Sequence, residues 1–227
     1  MSAIYRAVLL MLCSVSLYAG TENRTLALYA GKANGLDAPA IQSAQQELQR
    51  LLAPSGIDVV WKDLAARNSD DAFDRVVVLS FDGSCSDAVV ASTILKNPQE
   101  SQITLADASV SNGKVLPFFR IDCGYLFQLL GPYLRPMNAQ QRNVSVGRAL
   151  GRVMAHEIYH IVGETTVHQA RGAAKESFSV QDLIGSKFDF DLAGLAQMRP
   201  PSPPALAALL VPRPGTDDPD LVELPER

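Results

Sequence analysis

The chain has 227 residues, of which 47% are hydrophobic, and its 20 basic and 24 acidic side chains give a net charge of −4. The basic residues are scattered, so no segment of the sequence is suited to a nucleic-acid partner. No apolar run approaches the ~20 residues that a transmembrane helix needs, and we expect no membrane span.

The N-terminus is typical of a signal peptide, which we place at residues 1–19. Arg6 precedes an apolar run at residues 7–19, and the small and polar residues Gly20 and Thr21 follow it. The run is too short to cross a bilayer. We therefore predict a secreted or periplasmic protein.

The next segments predict a β-α-β unit and a further strand. Residues 26–30 and 57–61 have the pattern of strands, and residues 38–52 that of an amphipathic helix between them. Pro54-Ser55-Gly56 forms the turn after the helix. Residues 75–81 are a β-branched apolar run, which is typical of a buried strand.

A hairpin and two helices follow. Residues 102–106 and 115–121 flank the turn Ser111-Asn112-Gly113, so we expect residues 102–106 to form an antiparallel edge strand. Residues 124–130 predict a short helix and residues 143–162 a long one.

Removal of the leader discards Cys13 and leaves Cys85 and Cys123. In an oxidising compartment these two cysteines are expected to form a disulfide. The alternative is a cysteine metal ligand, although no C-x-x-C spacing accompanies either residue.

The composition changes near the C-terminus. Eight of the 14 prolines lie between Pro200 and Pro225, and five acidic residues lie between Asp217 and Glu226. We predict that residues 199–227 form a proline-rich, acidic, disordered tail. Residues 20–198 remain, and they are enough for a single stable domain.

All three histidines lie within a stretch of thirteen residues. His156 and His160 stand one helical turn apart and can direct imidazole nitrogens at one metal ion. Glu157 lies beside them, in the H-E-x-x-H arrangement of zinc peptidases. Gly163 predicts a helix end in a left-handed turn, after which His168 could return as a third ligand.

Other interpretations of these residues remain open. A short H-E-x-x-H match also occurs by chance on helices, where the two histidines are a solvated or a core pair. Apolar residues recurring at Leu150 and Met154 place the motif within a helix. Glu164 and Glu176 compete for the third ligand position. We prefer His168, because it is otherwise an unexplained imidazole beside a metal pair.

The order of elements over residues 25–168, with an H-E-x-x-H helix ending at Gly163, resembles the upper subdomain of the metzincin clan of zinc endopeptidases. The resemblance implies a zincin-like α/β (α+β) fold: a mixed twisted sheet with an antiparallel edge strand and two long helices, one carrying H-E-x-x-H. In that clan the third histidine would stand at Thr166. Here it is His168, and a two-residue insertion could still return its ring to the metal.

The resemblance also implies a methionine turn beneath the metal. Met198 is the only methionine after the motif, and its alternative role is that of a loop or core residue. Tyr159 is expected to pack or to support the site rather than to stabilise an oxyanion. Residues 115–123 and 151–160 also look like those of uncharacterised secreted bacterial proteins of this type.

The motif and the resemblance together predict a secreted or periplasmic zinc-dependent endopeptidase, a hydrolase. His156, His160 and His168 would hold Zn²⁺, and Glu157 would act as general base toward a metal-bound water. A peptide or protein substrate would pair its backbone with the edge strand at residues 102–106. The alternative is a non-catalytic zinc-binding or structural module on the same fold, which the displaced third histidine and the lack of a firm methionine turn make possible. The intact Glu157 favours the enzyme.

Overall fold

The computed structural model describes residues 23–66, 68, 72–86 and 104–199. The predicted signal peptide at residues 1–19 lies outside these residues, and so does the predicted tail beyond Arg199. The described chain has a mixed α/β architecture, with one five-stranded sheet and five helices.

The strands and helices follow one another in the order that the sequence predicts. The strands are β1 (Arg24–Ala30), β2 (Ile57–Asp63), β3 (Arg75–Asp82), β4 (Ala106–Ser111) and β5 (Lys114–Asp122). The helices are α1 (Ala38–Leu52), α2 (Cys123–Leu134), α3 (Ala139–Val162), α4 (Val180–Ile184) and α5 (Leu192–Met198). The short helices α4 and α5 were not predicted. Within the described ranges, no helix combines the length and the apolar character needed to cross a membrane.

The sheet is mixed, with strand order β2-β1-β3-β5-β4. β1 is parallel to both β2 and β3, and β5 is parallel to β3. The β-α-β unit formed by β1, α1 and β2 is therefore confirmed. β4 pairs antiparallel with β5 and forms one edge of the sheet, so an antiparallel edge strand is present.

The position predicted for that edge strand was wrong. β4 is formed by Ala106–Ser111, and residues 102 and 103 lie outside the described chain. Asn112 and Gly113 both have positive φ angles, 51° and 74°, as in a two-residue hairpin turn. Such a turn pairs Ser111 with Lys114, so both arms must continue up to the turn. The first arm alternates apolar and polar residues as a strand does, but alanine, aspartate and serine have low strand propensity, and this weakens the signal.

The two long helices lie against each other at close range. Gly147 and Gly151 of α3 stand one turn apart and face α1. A Cβ atom at Gly147 would lie 2.6 Å from the backbone oxygen of Ala40 and 2.8 Å from the backbone nitrogen of Ala44. The glycines therefore allow the backbones to approach, and this contact sets the position of α3 relative to the sheet.

The core lies between the helices and one face of the sheet. Leu26 and Leu28 of β1 are almost fully buried, as are Leu48 of α1 and Leu150 of α3. Cys85, just after β3, is bonded to Cys123 at the start of α2, with 4.7 Å between their Cα atoms. The disulfide links the carboxyl end of a central strand to the helix that precedes α3.

Candidate metal centre

α3 carries the H-E-x-x-H motif in a rigid, buried stretch. The helix begins with a capping box between Asn138 and Gln141 and runs for 24 residues to Val162. His156 and His160 stand one turn apart on it, as predicted, and each is only 8% exposed. Packing on all sides of this stretch leaves the two imidazoles little rotational freedom.

Backbone carbonyls hold both helical histidines. Nδ1 of His156 donates to the oxygen of Ala173 at 2.9 Å, and Nδ1 of His160 donates to the oxygen of Thr165 at 2.8 Å. A carbonyl can only accept, so Nδ1 carries the proton in each ring. Burial lowers the pKa of His156, to about 4, and that of His160. Each neutral ring therefore keeps its lone pair on Nε2.

The two Nε2 atoms that carry these lone pairs lie close together. The Nε2 atoms of His156 and His160 are 3.1 Å apart, and neither carries a proton that could form a hydrogen bond between them. Two nitrogens bound ~2.0–2.1 Å from a tetrahedral ion would lie roughly 3.3 Å apart. The spacing of the helical pair is thus close to that of two ligands of one ion.

The chain returns His168 to the same point. Its ring stacks on His156 with 5.2 Å between centroids and lies edge to face with His160 at 4.8 Å. One potential ligand atom from each of the three histidines lies within 4.8 Å of the others. His168 is the most exposed of the three. The structure brings together the three histidines that were predicted from the sequence as metal ligands.

A tight turn after α3 accounts for this return. The backbone nitrogen of Thr165 donates to the oxygen of His160 at 3.1 Å, which closes the turn on the helix. The residue with a positive φ is Glu164, at 47°, whereas Gly163 has φ −76°. The prediction of a left-handed Gly163 was therefore wrong. Glycine is needed there for another reason, because a Cβ would lie 2.8 Å from the oxygen of Tyr159.

Glu157 lies beside the histidines, on the side of β4. Its side chain is 5% exposed and lines the same cavity. Burial raises the pKa of this carboxyl to about 8, and the negative charge of Asp107 adds to the effect. A hydrogen bond from the backbone of Ala108 acts in the opposite direction. The carboxyl therefore faces the cavity from a position fixed by the edge strand.

The cavity has a volume of about 670 Å³ and opens between β4 and the segment after His168. Its apolar wall includes Val115, Leu129 and Phe178. The acidic residues Asp107 and Glu176 line the cavity, and no lysine or arginine is among its described lining residues. The space fits a neutral or cationic extended ligand better than an anionic one.

The other residues considered for the metal site, two glutamates and a methionine, lie outside the histidine cluster. Glu164 is exposed and pairs with Arg75 at 3.2 Å, so its carboxylate is engaged on the surface. Glu176 lines the cavity but is not part of the three-histidine cluster. Met198 is buried at the end of α5, where its carbonyl accepts from Arg24, and it does not line the cavity. The observed position of Met198 is that of a core residue.

The backbone atoms that orient the histidines have no signal in the sequence. Ala173 belongs to a short turn of 3₁₀ helix, Gly172–Ala174, and is fully buried. A carbonyl group is present in every residue, so no residue type marks one as a partner for an imidazole. Only the path of the chain after His168 brings this carbonyl beneath His156.

No family model matches this sequence, and no curated protein matches it either. The chemistry of the site is therefore interpreted from its own geometry.

Proposed function

We propose that this chain is an exported zinc-dependent endopeptidase with a zincin-like fold. The observation that carries the proposal is the 3.1 Å approach of two unprotonated nitrogens, Nε2 of His156 and Nε2 of His160. Two facing lone pairs repel each other unless a cation lies between them. His168 stands where it can supply a third nitrogen to the same cation.

The chemistry of the donors favours zinc. Three imidazole nitrogens suit a borderline-soft ion with tetrahedral geometry, and a set of three protein ligands leaves one position open. The two carbonyl contacts at His156 and His160 fix the ring orientation in the manner usual for zinc ligands. Calcium and magnesium prefer oxygen ligands, which this cluster does not supply.

Glu157 is the proposed general base. Zinc held by the three histidines would supply a Lewis acid toward a peptide carbonyl and would lower the pKa of water. Burial raises the pKa of Glu157, whereas the positive charge of zinc at the histidines would lower it and favour the carboxylate. That carboxylate faces the same cavity, where it can accept a proton from the attacking water and pass it to the leaving amine. A hydrogen bond from the backbone of Ala108 also lowers the pKa of Glu157 and favours the ionised form.

β4 is the proposed binding edge for the substrate. It is an edge strand that lines the cavity through Ala106, Asp107 and Ala108. An extended peptide adds to such an edge through backbone hydrogen bonds, whatever its side chains. The absence of basic residues from the described cavity lining disfavours acidic peptides.

The proposed compartment is oxidising. A buried disulfide between Cys85 and Cys123 is the kind of bond that persists in secreted and periplasmic proteins. This agrees with the signal peptide that the sequence predicts.

The test combines metal analysis with two matched variants of the purified chain. The parent protein should contain about one zinc per chain and should cleave a peptide library, and a chelator should abolish cleavage. Glu157→Gln should retain zinc and fold while hydrolysis falls by about 10²–10⁴-fold or more. Glu176→Gln changes a carboxylate of the same cavity and should retain zinc and hydrolysis.

Equal hydrolysis in Glu157→Gln and the parent would refute the peptidase mechanism. Stoichiometric zinc with no cleavage of any peptide would instead support the non-catalytic zinc-binding module.

A further inference from the structure

Tyr159 is fully buried within the motif, yet it is neither a ligand nor part of the cavity lining. It lies on α3 between Glu157 and His160, and its side chain is 0% exposed. Its ring contacts His160 at 5.1 Å and Phe190 at 6.0 Å between centroids. A buried phenol needs hydrogen-bond partners for its hydroxyl.

The hydroxyl finds both partners in the segment that carries the third histidine. It donates to the oxygen of Val167 at 2.9 Å and accepts from Nε2 of Gln169 at 3.1 Å. These two residues are the immediate neighbours of His168. One buried oxygen on the rigid helix thus holds the chain on both sides of His168.

His168 depends on such support more than the other two histidines do. Their Nδ1 atoms donate to the carbonyls of Ala173 and Thr165. Within the described chain, the imidazole of His168 has ring contacts with His156 and His160 but no hydrogen bond of its own. Its position therefore follows from the backbone that carries it.

The same contacts connect His168 to the segment beneath His156. The backbone nitrogen of Gln169 donates to the oxygen of Ala174 at 2.8 Å, and Ala173 is the residue that orients His156. Tyr159, Gln169 and the Gly172–Ala174 turn form one connected set of contacts around the histidines. A ligand of a zinc site usually loses affinity when its supporting contact is removed.

We propose that Tyr159 is the positioning residue that sets His168 as the third metal ligand. The proposal rests on the zinc site of the proposed function and adds a residue to it. It accounts for the return of His168 across a twelve-residue separation from His156, because the two hydrogen bonds tie both of its neighbours directly to α3.

The test is a double-mutant cycle on zinc affinity, measured by competition with a chromogenic chelator. Tyr159→Phe removes only the hydroxyl and should weaken zinc binding about 10–100-fold when His168 is present. In the His168→Ala background the same change should have no further effect, since the ligand that it positions is gone. A purely structural role would weaken both backgrounds equally.

Two further variants keep the test decisive. Tyr133→Phe alters an exposed tyrosine of α2 and should leave zinc affinity unchanged. Gln169→Met removes one of the two hydrogen bonds, so it should give a smaller loss of affinity with the same dependence on His168 even if Tyr159→Phe does not fold.

The outcomes distinguish this inference from the proposed function. Parental affinity in Tyr159→Phe, or an equal loss in both backgrounds, would overturn the role of Tyr159 and leave the zinc site intact. A folded parent protein that binds no zinc would overturn the proposed function, and the role of Tyr159 with it.

Discussion

Each helical histidine has one ring nitrogen occupied by a backbone carbonyl, and this contact determines what the other nitrogen can do. Because Nδ1 of His156 donates to Ala173, Nε2 has no proton and can only accept or ligate. The same holds for His160 and Thr165. His168 reaches the cluster through its backbone instead, so its contribution as a ligand is the least constrained of the three.

The identity of the third ligand can be tested directly. His168→Ala should lower zinc affinity by more than the ~10–100-fold that loss of a supporting contact costs, because a coordinating nitrogen is removed. Glu164→Ala should leave affinity unchanged, since that carboxylate pairs with Arg75 on the surface. Isothermal titration with zinc measures both. Full affinity in His168→Ala would transfer the role to Glu176, the other candidate ligand that lines the cavity.

At the scale of elements, the close contact between α1 and α3 places the motif. Gly147 and Gly151 provide the groove on α3 into which the backbone of α1 fits. A glycine inside a helix costs about 1 kcal/mol relative to alanine. A side chain larger than hydrogen would not fit here, because the nearest atoms of α1 are backbone atoms and Cβ atoms, which cannot rotate away.

Gly147→Ala should therefore destabilise the protein despite the better helix propensity of alanine. Overpacking against the backbone of α1 is expected to lower the free energy of unfolding by about 1–3 kcal/mol. Gly124→Ala is the matched control, because its Cβ would meet only the Asp122 carboxylate at 3.4 Å. Urea denaturation measures the free energy of unfolding of both variants and of the parent. A Gly147→Ala protein as stable as the parent would show that the helices can move apart freely.

The disulfide is the second constraint between elements. Cys85 and Cys123 are 38 residues apart in sequence, so their bond restricts a long loop of the unfolded chain. Replacing both by alanine should lower the free energy of unfolding by about 3 to 4 kcal/mol. Reduction of the parent protein should reproduce most of this loss in the same denaturation experiment. Equal stability with and without the bond would contradict the expectation.

At the scale of the whole molecule, a buried ionic network joins the helices to the segment below the histidines. Arg152 of α3 is fully buried and donates to Glu47 of α1 at 2.7 Å and to the oxygen of Asp182 at 2.6 Å. Glu47 also accepts from Arg50 at 2.8 Å, and Arg50 in turn donates to the oxygen of Phe188. This network holds the C-terminal part of the described chain against α1.

Glu47 makes this connection sensitive to acid. Burial alone would raise the pKa of Glu47, but hydrogen bonds from Arg50 and Arg152 outweigh it, and the pKa lies below its ordinary value. The folded state therefore binds this proton less readily than the unfolded state. The resulting stabilisation is present above the ordinary carboxyl pKa, about 4, and is lost as pH falls through the lower folded value.

Glu47→Gln should lower the free energy of unfolding at pH 7 by about 3–5 kcal/mol, because it leaves the buried Arg152 without its counter-charge. The difference from the parent should narrow as pH falls below the ordinary carboxyl range. Denaturation of both proteins across this pH range measures the difference in their free energies of unfolding. The control is Asp37→Asn, which removes an exposed carboxylate at the N-cap of α1 that makes no side-chain capping bond. A difference that stays constant with pH would exclude Glu47 as the titrating group.

Local spacing along the chain specifies several parts of this protein. The apolar run of β1, the 3.6-residue period of α1 and the turn at Gly56 each act within a few residues, and the structure has these elements where they were predicted. The pairing of His156 with His160 is local as well, because one helical turn fixes it.

Contacts between distant backbone segments arise only in the folded chain. β4 is a strand because β5 pairs with it, and its own residues Ala106–Ser111 carry little strand preference. The carbonyl beneath His156, the hydroxyl that holds His168 and the contact of Gly147 with α1 all join segments separated along the chain. Backbone atoms are the same in every residue, so sequence pattern cannot mark which of them will meet, and the folded path of the chain selects them.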